Sequence, residues 1–231
     1  MKNILITGVG SGLGEALAEA YLERGDTVYA IGRTFPQAFN RSPKFFFFPY
    51  DLQETFLLKE TIKPFVQGHH FDLVILNAGA VGEIQTLQET NNEDMRRIFD
   101  INCWANKELI DTLLAYATVK QVVGISSGAA INGYKGMGAY AVSKASFNAL
   151  LNVYAKETPG VHFTALAPGI IDTPMLHEII DYHDENEYPI VHKLKEGPIQ
   201  EAPIAASTLI RTFDELLHYE SGQFLDVRTM K

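Results

Sequence analysis

Tyr140 and Lys144 stand four positions apart in a stretch with helical apolar periodicity, so their side chains share one face and can meet at one point. Such a pair suits proton transfer at an oxygen atom. A phenol with an ordinary pKa of about 10 exchanges its proton reluctantly near neutrality, whereas a neighbouring ammonium favours the phenolate and is expected to lower that value. Tyr140 then reads as a general acid when a carbonyl is reduced and as a general base when an alcohol is oxidised, with Lys144 tuning it. A partly exposed tyrosine beside a snorkelling lysine is the competing account of the same spacing. Ser127 follows an apolar run, Gln121 to Ser126, that reads as a strand. A hydroxyl at the carboxyl end of a parallel strand can donate to a substrate carbonyl. Ser126 competes for that role, and either hydroxyl could instead bond the backbone of a turn.

A second constellation is the glycine cluster Thr7-Gly8-Val9-Gly10-Ser11-Gly12-Leu13-Gly14, between a short apolar run and an amphipathic segment. Without side chains the backbone can turn sharply, approach a pyrophosphate and present N–H groups at a helix start. The spacing does not fit G-x-G-x-x-G, because Leu13 stands where a match beginning at Gly8 needs glycine; it fits T-G-x-x-x-G-x-G. A tight connection with no ligand is the alternative. Dinucleotides differ at the adenosine ribose, where a carboxylate after the second strand suits a free 2'-OH and an arginine suits a 2'-phosphate. Here Ile31 is followed by Gly32 and Arg33, so NADP(H) is favoured over NAD(H); a solvated surface arginine is the plainer account.

The elements that must position these groups alternate regularly. Strands are expected at Lys2 to Thr7, Thr27 to Ile31, Lys44 to Pro49, Leu73 to Asn77, Gln121 to Ser126, His162 to Ala167 and Gln223 to Val227. Helices are expected at Leu13 to Arg24, Glu54 to Val66, Glu93 to Ala117, Met137 to Glu157 and Ile199 to Leu217. Short continuous apolar strands between longer helices predict a parallel sheet of about seven strands with helices on both faces. No linker or repeat divides residues 1–231, so one domain is expected. Met175 to Gly197 reads as a long irregular, charge-rich segment containing His177, His183 and His192, and is expected to act as a substrate lid.

Bulk properties exclude several classes. A net charge of -9 with no basic run argues against a sequence-independent nucleic-acid surface. No apolar run approaches the roughly 20 residues of a membrane span. The small-residue pattern Ala16, Ala18 and Ala20 follows glycines and Glu15 rather than an uninterrupted apolar region, so no signal peptide is expected. The single cysteine, Cys103, reads as a small buried residue and fits a reducing cytoplasm. The histidines lack metal-ligand spacing, so no metal is expected.

Taken together, the glycine turn, Ser127 placed 13 positions before Tyr140, and the Y-x-x-x-K pair resemble the short-chain dehydrogenase/reductase family. The resemblance runs from about Lys2 to Thr173 and implies a single Rossmann-type doubly wound α/β domain. It implies a catalytic set of Asn102, Ser127, Tyr140 and Lys144, with Asn102 bending the long helix and holding a water linked to the lysine. It also implies a cofactor wall of Thr7, Gly8, Ser11, Gly12, Leu13, Gly14, Arg33, Asp51, Leu52, Asn77, Ala78, Gly79, Pro168, Gly169, Ile171 and Thr173, beside Tyr140 and Lys144. Two departures stand out: Ser11 replaces a basic residue often found there, and Leu76 replaces the first asparagine of N-N-A-G. Asp51 could equally cap the helix that follows it.

Within the family, Ala167 to Met175 is similar to the sepiapterin reductase and benzil reductase branch. This implies an NADPH-dependent carbonyl reductase acting on small to medium, aromatic or vicinal-dicarbonyl substrates, and a homodimer or homotetramer built through the two long helices. A non-catalytic NADP(H) sensor, an NAD-dependent alcohol dehydrogenase, and an epimerase or dehydratase on the same scaffold are the alternatives.

Overall fold

The computed structural model describes residues 1–182 and 184–230; His183, one of the histidines of the charge-rich segment, and Lys231 lie outside the described residues. In chain order the elements are β1 (Asn3–Thr7), α1 (Gly12–Glu23), β2 (Thr27–Gly32), β3 (Phe45–Pro49), α2 (Thr55–Val66), β4 (His70–Phe71), β5 (Leu73–Leu76), α3 (Asn92–Phe99) and α4 (Ala105–Tyr116). They continue as β6 (Thr118–Val119), β7 (Gln121–Ile125), α5 (Gly138–Glu157), β8 (His162–Ala167), β9 (Ile170–Asp172), α6 (Pro174–Tyr182), α7 (Pro189–Glu196), β10 (Ile199–Glu201), α8 (Ala202–Glu215) and β11 (Phe224–Asp226).

Seven strands form one parallel sheet in the order β11-β8-β7-β5-β1-β2-β3, as the alternating apolar pattern predicts. Successive residues of a strand fall on opposite faces of the sheet. Ile4 and Ile6 join Leu17, Tyr21, Leu209 and Phe213 on the α1/α8 side. Leu5 joins Leu58, Ile62, Leu109, Phe147 and Leu151 on the α2/α4/α5 side. Each such side chain, fully buried, stabilises the fold by roughly 1.5–3 kcal/mol, so both faces hold the sheet between helices. The chain starts in the middle at β1, runs outward to β3, and returns to lay β5 on the other side of β1. That reversal opens a crevice at the carboxyl ends of β1 and β5, where open α/β sheets take ligands.

Four expectations are corrected. The helix expected as one run over Glu93 to Ala117 is divided by a π-turn at Asp100–Trp104, at the residue where the resemblance implies a bend, because Asn102 bonds the backbone of another segment there. Ile199–Glu201 is not helical: it pairs in parallel with Ile170–Asp172, and Pro203 in the first turn of α8 starts the helix only afterwards. The segment expected to be irregular, residues 175–197, carries α6 and α7. Its charges hid a short apolar stripe of Leu176, Ile179, Ile190 and Val191, all buried, while Pro174 and Pro189 open the two helices. Asp51 does not cap α2, whose N-cap is Glu54; its carboxylate accepts the Gln53 N–H at 3.0 Å.

Candidate active site

The glycine turn is built so that side chains are excluded. Gly8 and Gly12 have φ of +74° and +59°, and a Cβ on Gly8 would stand 2.9 Å from the Ala78 Cα. A Cβ on Gly14 would stand 2.0 Å from the Gly8 carbonyl oxygen and 2.5 Å from Asn77 Nδ2, so α1 meets the turn at backbone distance. Asn77, just past β5, ties the turn to the sheet: its Nδ2 donates to the Thr7 and Gly8 carbonyls, each at 3.0 Å. The Thr7 hydroxyl accepts the N–H groups of Asn77 and Ala78, both at 3.0 Å. Thr173 closes the same corner from the far side of the sheet, its Cγ2 lying 3.0 Å from where a Gly12 Cβ would be.

The residues expected in the cofactor wall therefore divide. Thr7, Gly8, Gly12, Gly14, Asn77, Ala78 and Thr173 are brought together. Ser11 is the exposed N-cap of α1 and its side chain makes no cap bond, which leaves first-turn N–H groups as donors for an anion. Leu13, Leu52 and Ile171 have side chains in the apolar clusters and can offer only backbone groups. Asp51 is exposed, and Pro168 and Gly169 form the half-buried turn after β8, Gly169 with φ +88°. Arg33 is exposed directly after β2 and has no hydrogen-bond or ion-pair partner among the described residues.

Asn102, Ser127, Tyr140 and Lys144 converge in a neighbouring corner. The buried Asn102 side chain accepts the Ala80 N–H at 2.9 Å and donates to the Ala80 carbonyl at 2.8 Å and to Ser143 Oγ at 2.9 Å. The Ser143 hydroxyl donates to the Tyr140 carbonyl at 2.8 Å, so the π-turn is tied to the helix that carries Tyr140. Gly79 joins them: a Cβ there would stand 3.2 Å from Asn102 Oδ1 and 3.4 Å from Lys144 Nζ. Lys144, 3% exposed, donates to the Ile125 carbonyl at 2.7 Å. Gly124 permits that approach, because a Cβ on it would lie 2.5 Å from the Phe147 ring. A glycine inside an apolar strand is the sequence signal for such close packing.

The two serines face different ways. Ser126 is buried and donates to Asn148 Oδ1 at 2.6 Å. Ser127 is half-buried; its oxygen accepts the Ala129 N–H at 3.1 Å, and its hydroxyl lies near enough to the Tyr140 phenol to lower that pKa. The electrostatics correct one expectation. Burial raises the Tyr140 pKa, with the Ser127 hydroxyl opposing, and burial of Lys144 lowers its ammonium to about 8. Desolvation thus outweighs the Ser127 contribution, and Tyr140 is held as the neutral phenol. Burial also pushes the Cys103 thiol up to about 11. Over Tyr140 lies an apolar cluster that includes Val81, Ile84, Met137, Ile179, Tyr188, Ile190 and Val191, so α6 and α7 cover this corner.

Among the described residues, no group of His, Cys, Asp and Glu is arranged to hold a metal ion, and no helix is long and apolar enough to cross a membrane.

A parallel sheet with its reversal at β1 and β5, a side-chain-free turn at that reversal, and a Ser-Tyr-Lys corner beside it define a dinucleotide-binding α/β oxidoreductase. The chain belongs to the short chain dehydrogenase family, whose sequence model matches residues 2–184. The family binds nicotinamide cofactors and acts on carbonyl and alcohol groups of small molecules. Benzil reductase ((S)-benzoin forming) of Bacillus cereus is 32% identical, with 98% of this chain and 99% of the relative aligned. The NADPH-dependent pterin aldehyde reductase of Arabidopsis thaliana is 26% identical over 76% of this chain and 77% of its own. The crystal structure of a short chain dehydrogenase/reductase from Saccharomyces cerevisiae has a TM-score of 0.82 at 26% identity, covering 98% of this chain and 96% of that one.

Proposed function

We propose that this chain is an NADPH-dependent carbonyl reductase that accepts aromatic and vicinal-dicarbonyl compounds. The observation that carries the reading is the convergence of Ser127, Tyr140 and Lys144 beside a turn from which Gly8, Gly12 and Gly14 exclude every side chain. That turn suits a pyrophosphate, and Arg33 after β2, with no partner among the described residues, suits the adenosine 2'-phosphate. The rest of the cofactor wall is Thr7, Ser11, Asn77, Ala78, Gly79 and Thr173, with backbone groups of Leu13, Leu52 and Ile171 and the Pro168-Gly169 turn; exposed Asp51 suits the adenine amino group.

Reduced nicotinamide, when bound, supplies the hydride. Tyr140 gives its proton to the substrate oxygen, and Ser127 donates a second hydrogen bond to the same oxygen as negative charge develops on it. The ammonium of Lys144 stabilises the phenolate that Tyr140 becomes, and Asn102 holds the π-turn in register with α5. Segment α6–α7 serves as the substrate lid and excludes water from the transfer. The relatives' names support the substrate class, since one is a benzil reductase and another an NADPH-dependent pterin aldehyde reductase. Assembly as a homodimer or homotetramer is supported by the exposed apolar residues Trp104, Val142 and Val153 on the two long helices, and a buried lone Cys103 suits a reducing cytoplasm.

Purified protein, incubated with NADPH or NADH and a panel of diketones, aldehydes, quinones and pterin carbonyls, tests the reading by loss of reduced-cofactor absorbance. Turnover of diketones with NADPH, abolished by Tyr140→Phe, is the expected result. Cofactor binding without any turnover would favour a sensor, and faster turnover with NADH would reassign Arg33.

A further inference from the structure

The apolar cluster over Tyr140 contains three phenols, and two of them are committed. Tyr140 is influenced by Ser127 and Tyr188 by Glu187, each of which shifts the phenol's pKa. The third, Tyr134, lies half-buried against the same cluster in the loop before α5. Its oxygen accepts Lys193 Nζ at 2.7 Å, and the same ammonium stands 4.7 Å from the centre of its ring. Lysine only donates, so the Tyr134 proton is still available, and no acceptor for it stands among the described residues. An ammonium bonded to a phenol oxygen makes that phenol a stronger donor.

The surroundings favour an electron-rich oxygen. Lys193 has no carboxylate partner among the described residues, in a chain whose net charge is -9. Arg228 comes from the C-terminal tail, where Asp226 holds it with hydrogen bonds of 2.8 and 2.5 Å. Its guanidinium lies 3.3 Å from where a Cβ on Gly128 would be, and Gly128 is the residue after Ser127. Donors from α7, the tail and the loop before α5 therefore gather beside the Ser127 turn.

We propose that Tyr134, polarised by Lys193, is a specificity-determining donor that binds a second oxygen acceptor of the substrate, the far carbonyl of a dicarbonyl compound, while Ser127 and Tyr140 act on the first. The assignment rests on the carbonyl-reductase reading. It explains how a neutral diketone is preferred to a monoketone of the same skeleton: a site built to donate to an oxygen loses that bond when the oxygen is missing.

The test compares benzil with deoxybenzoin, which has the same skeleton and one carbonyl fewer, in wild type, Tyr134→Phe and Lys193→Met. Both kcat/KM and the Kd of each compound for the cofactor-loaded protein are measured. The wild-type preference for benzil is expected to fall about 10-fold in Tyr134→Phe and about 3-fold in Lys193→Met, in Kd as well as in kcat/KM. If the Tyr134–Lys193 bond only fastens α7 to the body, both compounds weaken together and the ratio stays within about twofold, which overturns the proposal. The Kd ratios decide the matter even if neither compound is turned over, an outcome that would count against the carbonyl-reductase reading alone.

Discussion

Ser126 donates its hydroxyl proton to Asn148 Oδ1 at 2.6 Å, while the adjacent Ser127 turns the other way, toward the Tyr140 phenol, whose pKa it lowers. The bond fastens the end of β7 to α5 and leaves Ser127 as the hydroxyl that faces the reacting corner. Asn148 Nδ2 is buried without a partner among the described residues, so Oδ1 is the anchored atom of that amide.

The two serines should therefore separate in mutagenesis. Ser127→Ala is expected to lower kcat for carbonyl reduction by about 10²-fold or more with little change in melting temperature, as for loss of an oxyanion donor. Ser126→Ala is expected to destabilise by about 1–3 kcal/mol, because it strands a buried amide, with a smaller loss of kcat. Steady-state kinetics and denaturant titration of both variants check this; the reverse pattern would assign the chemical role to Ser126.

Lys144 carries a pH prediction. Its ammonium titrates at about 8 instead of 10.5, so the native state binds fewer protons than the unfolded chain between those values. Stability contributed by this group accordingly rises as pH climbs from about 8 to 10.5, and the full desolvation cost is carried below pH 8. Lys144→Met should remove up to about 3 kcal/mol of that cost at pH 7, less about 1 kcal/mol for the unpaired Ile125 carbonyl. Thermal melts at pH 7 should show a variant at least as stable as wild type, yet with reductase activity lowered by about 10²-fold or more.

The same titration sets the activity profile. Tyr140 stays protonated through neutrality because burial raises its pKa, so the ionisation that limits reduction is that of Lys144. With reduced cofactor saturating, kcat/KM should hold level below pH 8 and decline above it. A rate that instead rises through pH 8 would show that the ammonium is not needed.

Gly14→Ala should be among the most damaging single-methyl changes in the chain. The added Cβ would lie 2.0 Å from the Gly8 carbonyl oxygen, so α1 or the turn must move. We expect a loss of about 3 kcal/mol or more and of cofactor affinity together, read by denaturant titration and by fluorescence titration with NADPH.

The proposed preference for NADPH can be tested at Arg33. Arg33→Ala should raise the KM ratio of NADPH to NADH by about 10-fold or more, from loss of a charge-assisted bond to phosphate. An unchanged ratio would leave Arg33 a solvated side chain.

Much of this protein was legible from local pattern. The seven main strands follow from short runs such as Asn3–Thr7 and Leu73–Leu76, buried on both faces, where an apolar run needs no partner to be recognised. The glycine turn and the Tyr140–Lys144 pair were legible because their chemistry depends on spacing within one turn or one helix face. Tertiary structure decided what depends on residues distant in sequence. Asn102 interrupts a helix because Ala80 offers it a backbone N–H and carbonyl. Ile199–Glu201 becomes a strand because Ile170–Asp172 lies open beside it. The helices α6 and α7 form because three buried apolar side chains in a charged segment, Ile179, Ile190 and Val191, find the cluster over Tyr140. The protonation of the site was decided the same way: sequence places a lysine four residues from a tyrosine, but only folding buries both, and burial raises the phenol while it lowers the ammonium.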